Sequence, residues 1–353
     1  MPRNQLLQRA TCQFHSQCSC FQPKTPPKPG DWLADGMPGA RSDRRGQTYA
    51  AFSNLKRRRF PNRRQRTIAL CNVDEKEDDS AESVMNLLCR FVSVYFGMLC
   101  READPFSDSE RRKLHARMNG TLPQYQTGPI EKLLKRRLRD DQKDTFAVVG
   151  VTLVDLYPNK DWNFVLGEAS PMEGVGVFSF VRFTRWFEQA WNAMFEEEQD
   201  GTTTTTTEDL KWTDMLRDAR ALRRALQTLA HEIGHLFHLE HCIYYQCVMN
   251  GANSVEEADG APMHLCPVCL RKLFHVVAKT QREPLDIMGR YQRLASFLEE
   301  CGLEDDARWY RDAVQRCSAP VAEANEVQPM EIDSPGENIA VAMQQGLCLE
   351  TMK

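Results

Sequence analysis

The hydrophobic pattern changes period repeatedly along the chain, and each change marks an element. Thr67 to Val73 is an apolar run of strand length, and in Ser80 to Met98 the residues Val84, Leu87, Leu88, Phe91 and Tyr95 recur at helical spacing. A second helical stretch, Pro129 to Arg139, leads into Phe146 to Tyr157, whose unbroken apolar, β-branched character predicts one strand buried on both faces. From Trp162 to Phe183, Gly167 and Gly174 punctuate short apolar segments that end in GVGVFSF and Val181 to Phe183, the pattern of a strand pair rather than a helix. Met215, Ala219, Leu222, Leu226, Leu229, Ile233 and Leu236 then keep one apolar stripe, which predicts a single long helix capped by Thr213 or Asp214. Helical stretches at Leu285 to Cys301 and Glu304 to Cys317 close the pattern. Strands alternating with helices in this way predict an α/β or α+β domain.

The polar segments set the boundaries. Residues 1–65 read as a basic arm, rich in Pro and Gly between Gln22 and Gly39, so the folded domain is expected over 66–317. Inside it, 196–209 carries acids and six consecutive threonines, Thr202 to Thr207, a loop composition. Residues 318–353 are acidic and without periodicity, an expected disordered tail. With 353 residues, 42% of them hydrophobic and 27% charged, the chain has ordinary globular composition, which excludes collagenous, coiled-coil and fully disordered classes.

Charge is local. Arg41 to Arg66 holds ten Lys or Arg against one acid, which leaves the rest of a chain of net charge −4 strongly acidic. The densest part, Lys56 to Arg66, is either a solvated loop or a nuclear-localisation or phosphate-binding patch; no base-reading motif accompanies it, so nucleic acid is not an expected partner. The most apolar uncharged run, Phe91 to Cys100, falls far short of the roughly 20 residues that span a bilayer, and the first residues lack the apolar core of a secretory signal. A cytoplasmic or nuclear protein is expected, in which the 13 cysteines, an odd number, serve metal binding better than disulfides.

The chemistry sits at the end of the long helix, in HEIGHLFHLEH (231–241). His231 and His235 are four residues apart, one turn along one helix face, close enough to share a metal. Glu232 lies between them as a general base for a metal-activated water. On a continuous helix His241 would lie about 15 Å from His231. The helix must therefore stop after His235 and the chain turn back; three imidazoles then leave one tetrahedral position open, the arrangement of a catalytic zinc.

The spacing HExxHxxGxxH is the metzincin signature. Together with Cys242, Cys247-Val248-Met249 and Cys266-Pro267-Val268-Cys269 it resembles the archaemetzincin family, with further similarity at Asp155 to Pro158, Trp162 to Phe183 and Pro26 to Trp32. The resemblance implies a metzincin-like fold: a twisted mixed sheet, the active-site helix below it and a helical C-terminal part. It implies that Met249 is the Met-turn methionine, that Gly174, Val175, Gly176, Val177, Phe178 and Ser179 form the edge strand that binds substrate, and that peptides are cleaved, in an aminopeptidase-like manner. It also implies a second zinc. Cys242, Cys247, Cys266 and Cys269, spaced C-x4-C and C-x2-C, close a tetrahedron with four thiolates, a structural site, giving two zincs per chain; His264 is an alternative ligand. One position departs from the pattern: His238 stands where the signature has glycine, in a turn that favours positive φ.

Two other functions remain open on the sequence. A zinc-stabilised interaction module with little turnover would account for His238, and a nucleic-acid-binding zinc module would account for Lys56 to Arg66. No motif bears on the oligomeric state.

Overall fold

The computed structural model describes Phe21 and residues 46–56, 58–74, 79–120, 122–141, 144–196, 210–252, 255–280 and 286–318. The Pro-rich stretch at 26–32, the threonine run and residues 319–353 lie outside the described residues. Within them the chain runs α1 (Tyr49–Ser53), β1 (Thr67–Asn72), α2 (Asp79–Phe96), β2 (Leu99–Ala103), α3 (Asp108–Arg111), β3 (Ala116–Asn119), β4 (Leu122–Gln126), α4 (Thr127–Asp140), β5 (Thr145–Thr152), β6 (Asp155–Tyr157), β7 (Gly167–Ser170) and β8 (Val175–Ser179). A 3-10 turn (Val181–Phe183) follows, then α5 (Arg185–Glu196), α6 (Trp212–Arg217), α7 (Ala219–Leu236), α8 (Val255–Asp259), α9 (Pro267–Val277), α10 (Ile287–Glu300) and α11 (Glu304–Ser318).

A mixed five-stranded sheet, in the order β2-β1-β5-β8-β7, organises these elements; β7 alone runs antiparallel to its neighbour. Side chains alternate across a strand, so β1, β5 and β8 feed two cores at once. Ile68, Leu70, Phe146, Val149, Val151 and Phe178 face the larger core, which contains α2, α7 and α9 to α11. Ala69, Cys71, Val148, Val175 and Val177 face the smaller one under α4, against Ile130, Leu133, Leu134 and Leu138. Every residue of β5 is buried, as its continuous apolar run predicts. A three-stranded sheet, β3-β4-β6, stands beside it.

Five expectations are corrected. The run from Phe146 to Tyr157 is two strands in two sheets, because Asp74 captures the end of β5: its carboxylate accepts from Thr152 Oγ1 and from Leu153 N (2.6 Å), and Val154 N turns back to Thr152 Oγ1 (2.9 Å). Val181–Phe183 is a 3-10 turn, not strand. The long helix breaks at Asp218, whose extended backbone ends α6 and whose carboxylate caps α7 by accepting from Arg220 N (2.9 Å) and Ala221 N (3.3 Å).

The fourth correction is the edge. β8, with Val175, Gly176, Val177, Phe178 and Ser179, is paired on both sides, to β5 and to β7, and is fully buried; the edge strand is β7, and Gly174 belongs to the turn between them with φ +72°. The fifth is the start of the folded body, which lies upstream of Arg66. Phe52 of α1 is 1% exposed and packs with Phe60, and Gln47 is buried. A short apolar patch among basic residues carries no periodicity long enough to reveal such packing.

Candidate metal centre

α7 ends at Leu236, where the argument from His241 requires a stop. His238 takes φ +62° there, the sole non-glycine residue with positive φ among those described, and Leu239 N returns to Gly234 O (3.2 Å) as the chain reverses. The position thus has the conformation that favours glycine. The histidine is held in it from outside: Nε2 lies 3.1 Å from Arg59 O, the ring meets Phe60 edge-on with centroids 5.1 Å apart, and Gln47 Nε2 donates to His238 O (2.9 Å). His238 is therefore turned away from the other histidines and occupied elsewhere.

The reversal brings His231, His235 and His241 together, with one ligand nitrogen of each within 4.8 Å of the others. His231 Nδ1 lies 2.8 Å from Val248 O and His235 Nδ1 lies 2.6 Å from Leu239 O. A carbonyl can only accept, so both Nδ1 atoms carry protons. Burial, with His231 and His241 nearby, pushes the pKa of His235 well below its usual value, so its ring is neutral. The two Nε2 atoms face each other at 3.0 Å, and with the Nδ1 atoms turned to carbonyls they are the nitrogens placed to share one cation. The donor set fits zinc. Burial raises the pKa of the Glu232 carboxyl, an effect opposed by His231 and increased by Glu168 on β7, the strand against which α7 packs.

The second cluster begins one residue after His241. Cys242, Cys247, Cys266 and Cys269 are reduced and buried, their sulfurs all within 4.8 Å. Backbone N–H groups already point at these sulfurs: Cys266 N to Cys247 Sγ at 3.2 Å, and Met249 N to Cys247 Sγ and Cys269 N to Cys266 Sγ at 3.5 Å. Hydrogen bonds from the other three thiols hold the pKa of Cys242 well below the ordinary thiol range. Burial at Cys266 and the neighbouring thiols at Cys269 push those two the other way, well above that range; four sulfurs gathered so closely suit a four-coordinate zinc. His264 stays outside it; its ring stacks on Trp309 with centroids 3.6 Å apart, and burial pushes its pKa down to about 3.

Met249 is fully buried, and a Cβ at Gly234 would come within 2.5 Å of its sulfur, so the methionine lies against the helix turn that joins the two histidines. Sequence reasoning missed the residue that builds this loop. Asn250 Nδ2 donates to Cys242 O (2.7 Å) and Tyr245 O (2.9 Å), Asn250 Oδ1 accepts from Cys247 N (3.0 Å), and Cys242 N donates to Met249 O (2.7 Å). An Asn directly after the Cys-Val-Met run was the available signal, since Asn side chains commonly fold onto nearby backbone. Gln47 had none; its partners lie on the far side of the sequence, at His238, Glu240 and Lys272.

The model of Peptidase family M54 matches residues 213–275, which contain both clusters. Archaemetzincin-2 of Pongo abelii is 31% identical over 295 residues, covering 81% of this chain and 77% of the relative, and Archaemetzincin-2 of Homo sapiens is 31% identical over 293 residues with the same coverage. The crystal structure of archaemetzincin from Methanopyrus kandleri aligns with 61% of this chain and 96% of that one, at a TM-score of 0.38 and 22% identity. Among the described residues no helix is long and apolar enough to cross a membrane. The identity to the archaemetzincins runs through most of the chain, and on that ground the protein belongs to the archaemetzincin family, Peptidase family M54, and is a zinc metallopeptidase.

Proposed function

We propose that the chain hydrolyses peptide bonds at a zinc held by His231, His235 and His241, with Glu232 as general base, and that a second, structural zinc sits on Cys242, Cys247, Cys266 and Cys269. The observation that carries this reading is the convergence of His231, His235 and His241, one ligand nitrogen of each within 4.8 Å of the others, with the Nδ1 atoms of the first two bonded to carbonyls so that their Nε2 atoms point inward. Zinc, when bound there, polarises the scissile carbonyl, acidifies a water and adds the positive charge that the buried Glu232 otherwise lacks. Glu232 takes the proton of that water and passes it to the leaving amine. The substrate lies extended along the free edge of β7, Gly167 to Ser170, bonding main chain to main chain, and Met249 packs beneath the two helix-borne histidines. His241 is followed directly by Cys242, so the structural site fixes the third ligand of the catalytic one. An aminopeptidase-like preference follows from the resemblance to the family and is read from the products.

The test is digestion of a diverse peptide library with products identified by mass spectrometry, beside Glu232→Gln, with zinc counted in both proteins. Turnover is expected to fall at least about 100-fold in the variant while zinc content is unchanged. Equal cleavage by both would remove Glu232 from the mechanism. Two zincs with no cleavage by either would favour a zinc-stabilised interaction protein.

A further inference from the structure

Among the described cysteines, four form the cluster at 242–269, and Cys71 is fully buried, bonded from Arg137 Nη1 (3.2 Å) and to Asp104 O (3.2 Å). Cys89 on α2 and Cys100 on β2 have neither role. Both line one cleft of about 540 Å³ between α2 and α10, with their thiols beside each other. Each residue keeps 8% of its surface, against 0% for Cys71, so the cleft gives a reagent a route to the sulfurs. Ser93 fixes the pair by accepting from Cys100 N at 2.9 Å.

The cleft walls say what the reagent is. They carry Arg90, Arg293, Asn86 and Gln292. Arg90 meets Glu300 at 2.6 Å on the exposed rim, and Arg293 makes no ion pair among the described residues. Glu300 also lines the cleft and neutralises Arg90, so Arg293 and two amides beside a dithiol remain to match a small peptide-like molecule that bears a carboxylate and a disulfide. We propose that this cleft is a thiol–disulfide exchange site at which Cys89 attacks a small anionic disulfide held by Arg293, and Cys100 resolves the product.

The order of attack follows from the pair itself. Burial, with the Cys89 thiol beside it, pushes the Cys100 thiol well above its usual pKa, so Cys100 is a poor first nucleophile and takes the resolving role. The Cys89 thiolate forms a bond to one sulfur of the disulfide and expels the other half as a thiolate. Cys100, on losing its proton, then attacks Cys89 and expels the second half. The two thiol protons end on the two released thiols: the protein pair is oxidised by two electrons and the small disulfide is reduced. The link ties α2 to β2 across the turn at Gly97.

Zinc-loaded full-length protein is incubated with glutathione disulfide, free thiols are alkylated in acid, and peptides are read by mass spectrometry. A Cys89–Cys100 link is expected in the wild type, and Cys100→Ser is expected to hold a glutathione adduct at Cys89. Cys89→Ser is expected to leave Cys100 unmodified. Arg293→Glu is expected to slow the reaction on the order of tenfold with glutathione disulfide and to leave the rate with neutral hydroxyethyl disulfide unchanged. Full alkylation of both cysteines in the wild type, an adduct confined to Cys301, or an Arg293→Glu effect equal for both reagents would overturn the proposal.

Discussion

At the scale of single residues the site is a set of side chains whose second hydrogen bonds decide what the first are free to do. Asn250 satisfies two carbonyls and one N–H inside the loop that carries both clusters. Asn250→Ala strands all three, and a loss of about 3 kcal/mol is expected in urea unfolding, with weaker zinc retention against a chelator. His238 is the opposite case, a residue that trades backbone strain for packing. His238→Gly relieves about 1 kcal/mol of left-handed strain but deletes the ring on Phe60 and the bond to Arg59 O, together about 2 kcal/mol. A net loss of about 1 kcal/mol is expected; a gain in stability would show that the ring contributes nothing. The gathering of His231, His235 and His241, and of the four cysteines, was legible in the sequence because metal ligation demands particular residue types at particular spacings. The roles of Asn250 and Gln47 were not, since hydrogen bonds to backbone groups, and in Gln47 also from Lys272 Nζ, follow no spacing rule.

At the scale of elements, hydrophobic periodicity located β1, α2, α4, β5, α7, α10 and α11 within a few residues, left β2, β3, β4 and α5 unread, and gave the wrong break where a polar side chain overrode it. The apolar stripe runs unbroken across Asp218, yet the carboxylate of that residue is worth more as a cap than its backbone is inside a helix. Asp218→Ala is expected to lower stability by about 1 kcal/mol, measured as a fall in thermal midpoint with unchanged zinc content. Asp74 does the same to the strand run at 145–157. The misplaced edge has another origin. Period two shows that β8 is apolar on both faces, but only pairing shows which strand is outermost, and β7, with its small and polar Gly167, Glu168, Ala169 and Ser170, is the one that can stand exposed.

At the scale of the molecule, the smaller core is clamped by an ion pair that reports on acid. Arg137 on α4 holds Glu110 on α3 by two hydrogen bonds, 2.6 Å and 3.0 Å, and thereby lowers the Glu110 carboxyl from 4.5 to about 2. A carboxyl depressed on folding contributes stability that is complete above its unfolded pKa and lost as pH falls toward its folded one. Glu110→Gln is expected to be less stable than the wild type at neutral pH, with the difference shrinking between about pH 4.5 and 2; a constant difference across that range would exclude the linkage. The long reach of Gln47 has a different consequence, one of order in time. Its side chain is bonded to His238 across 191 positions and to Lys272 across 225, so the turn that presents His241 is completed by a residue synthesised long before it. Contacts of such separation form late and slowly. The turn that carries His241 therefore reaches its final packing only after the chain has been made as far as Lys272 and has folded back on residue 47.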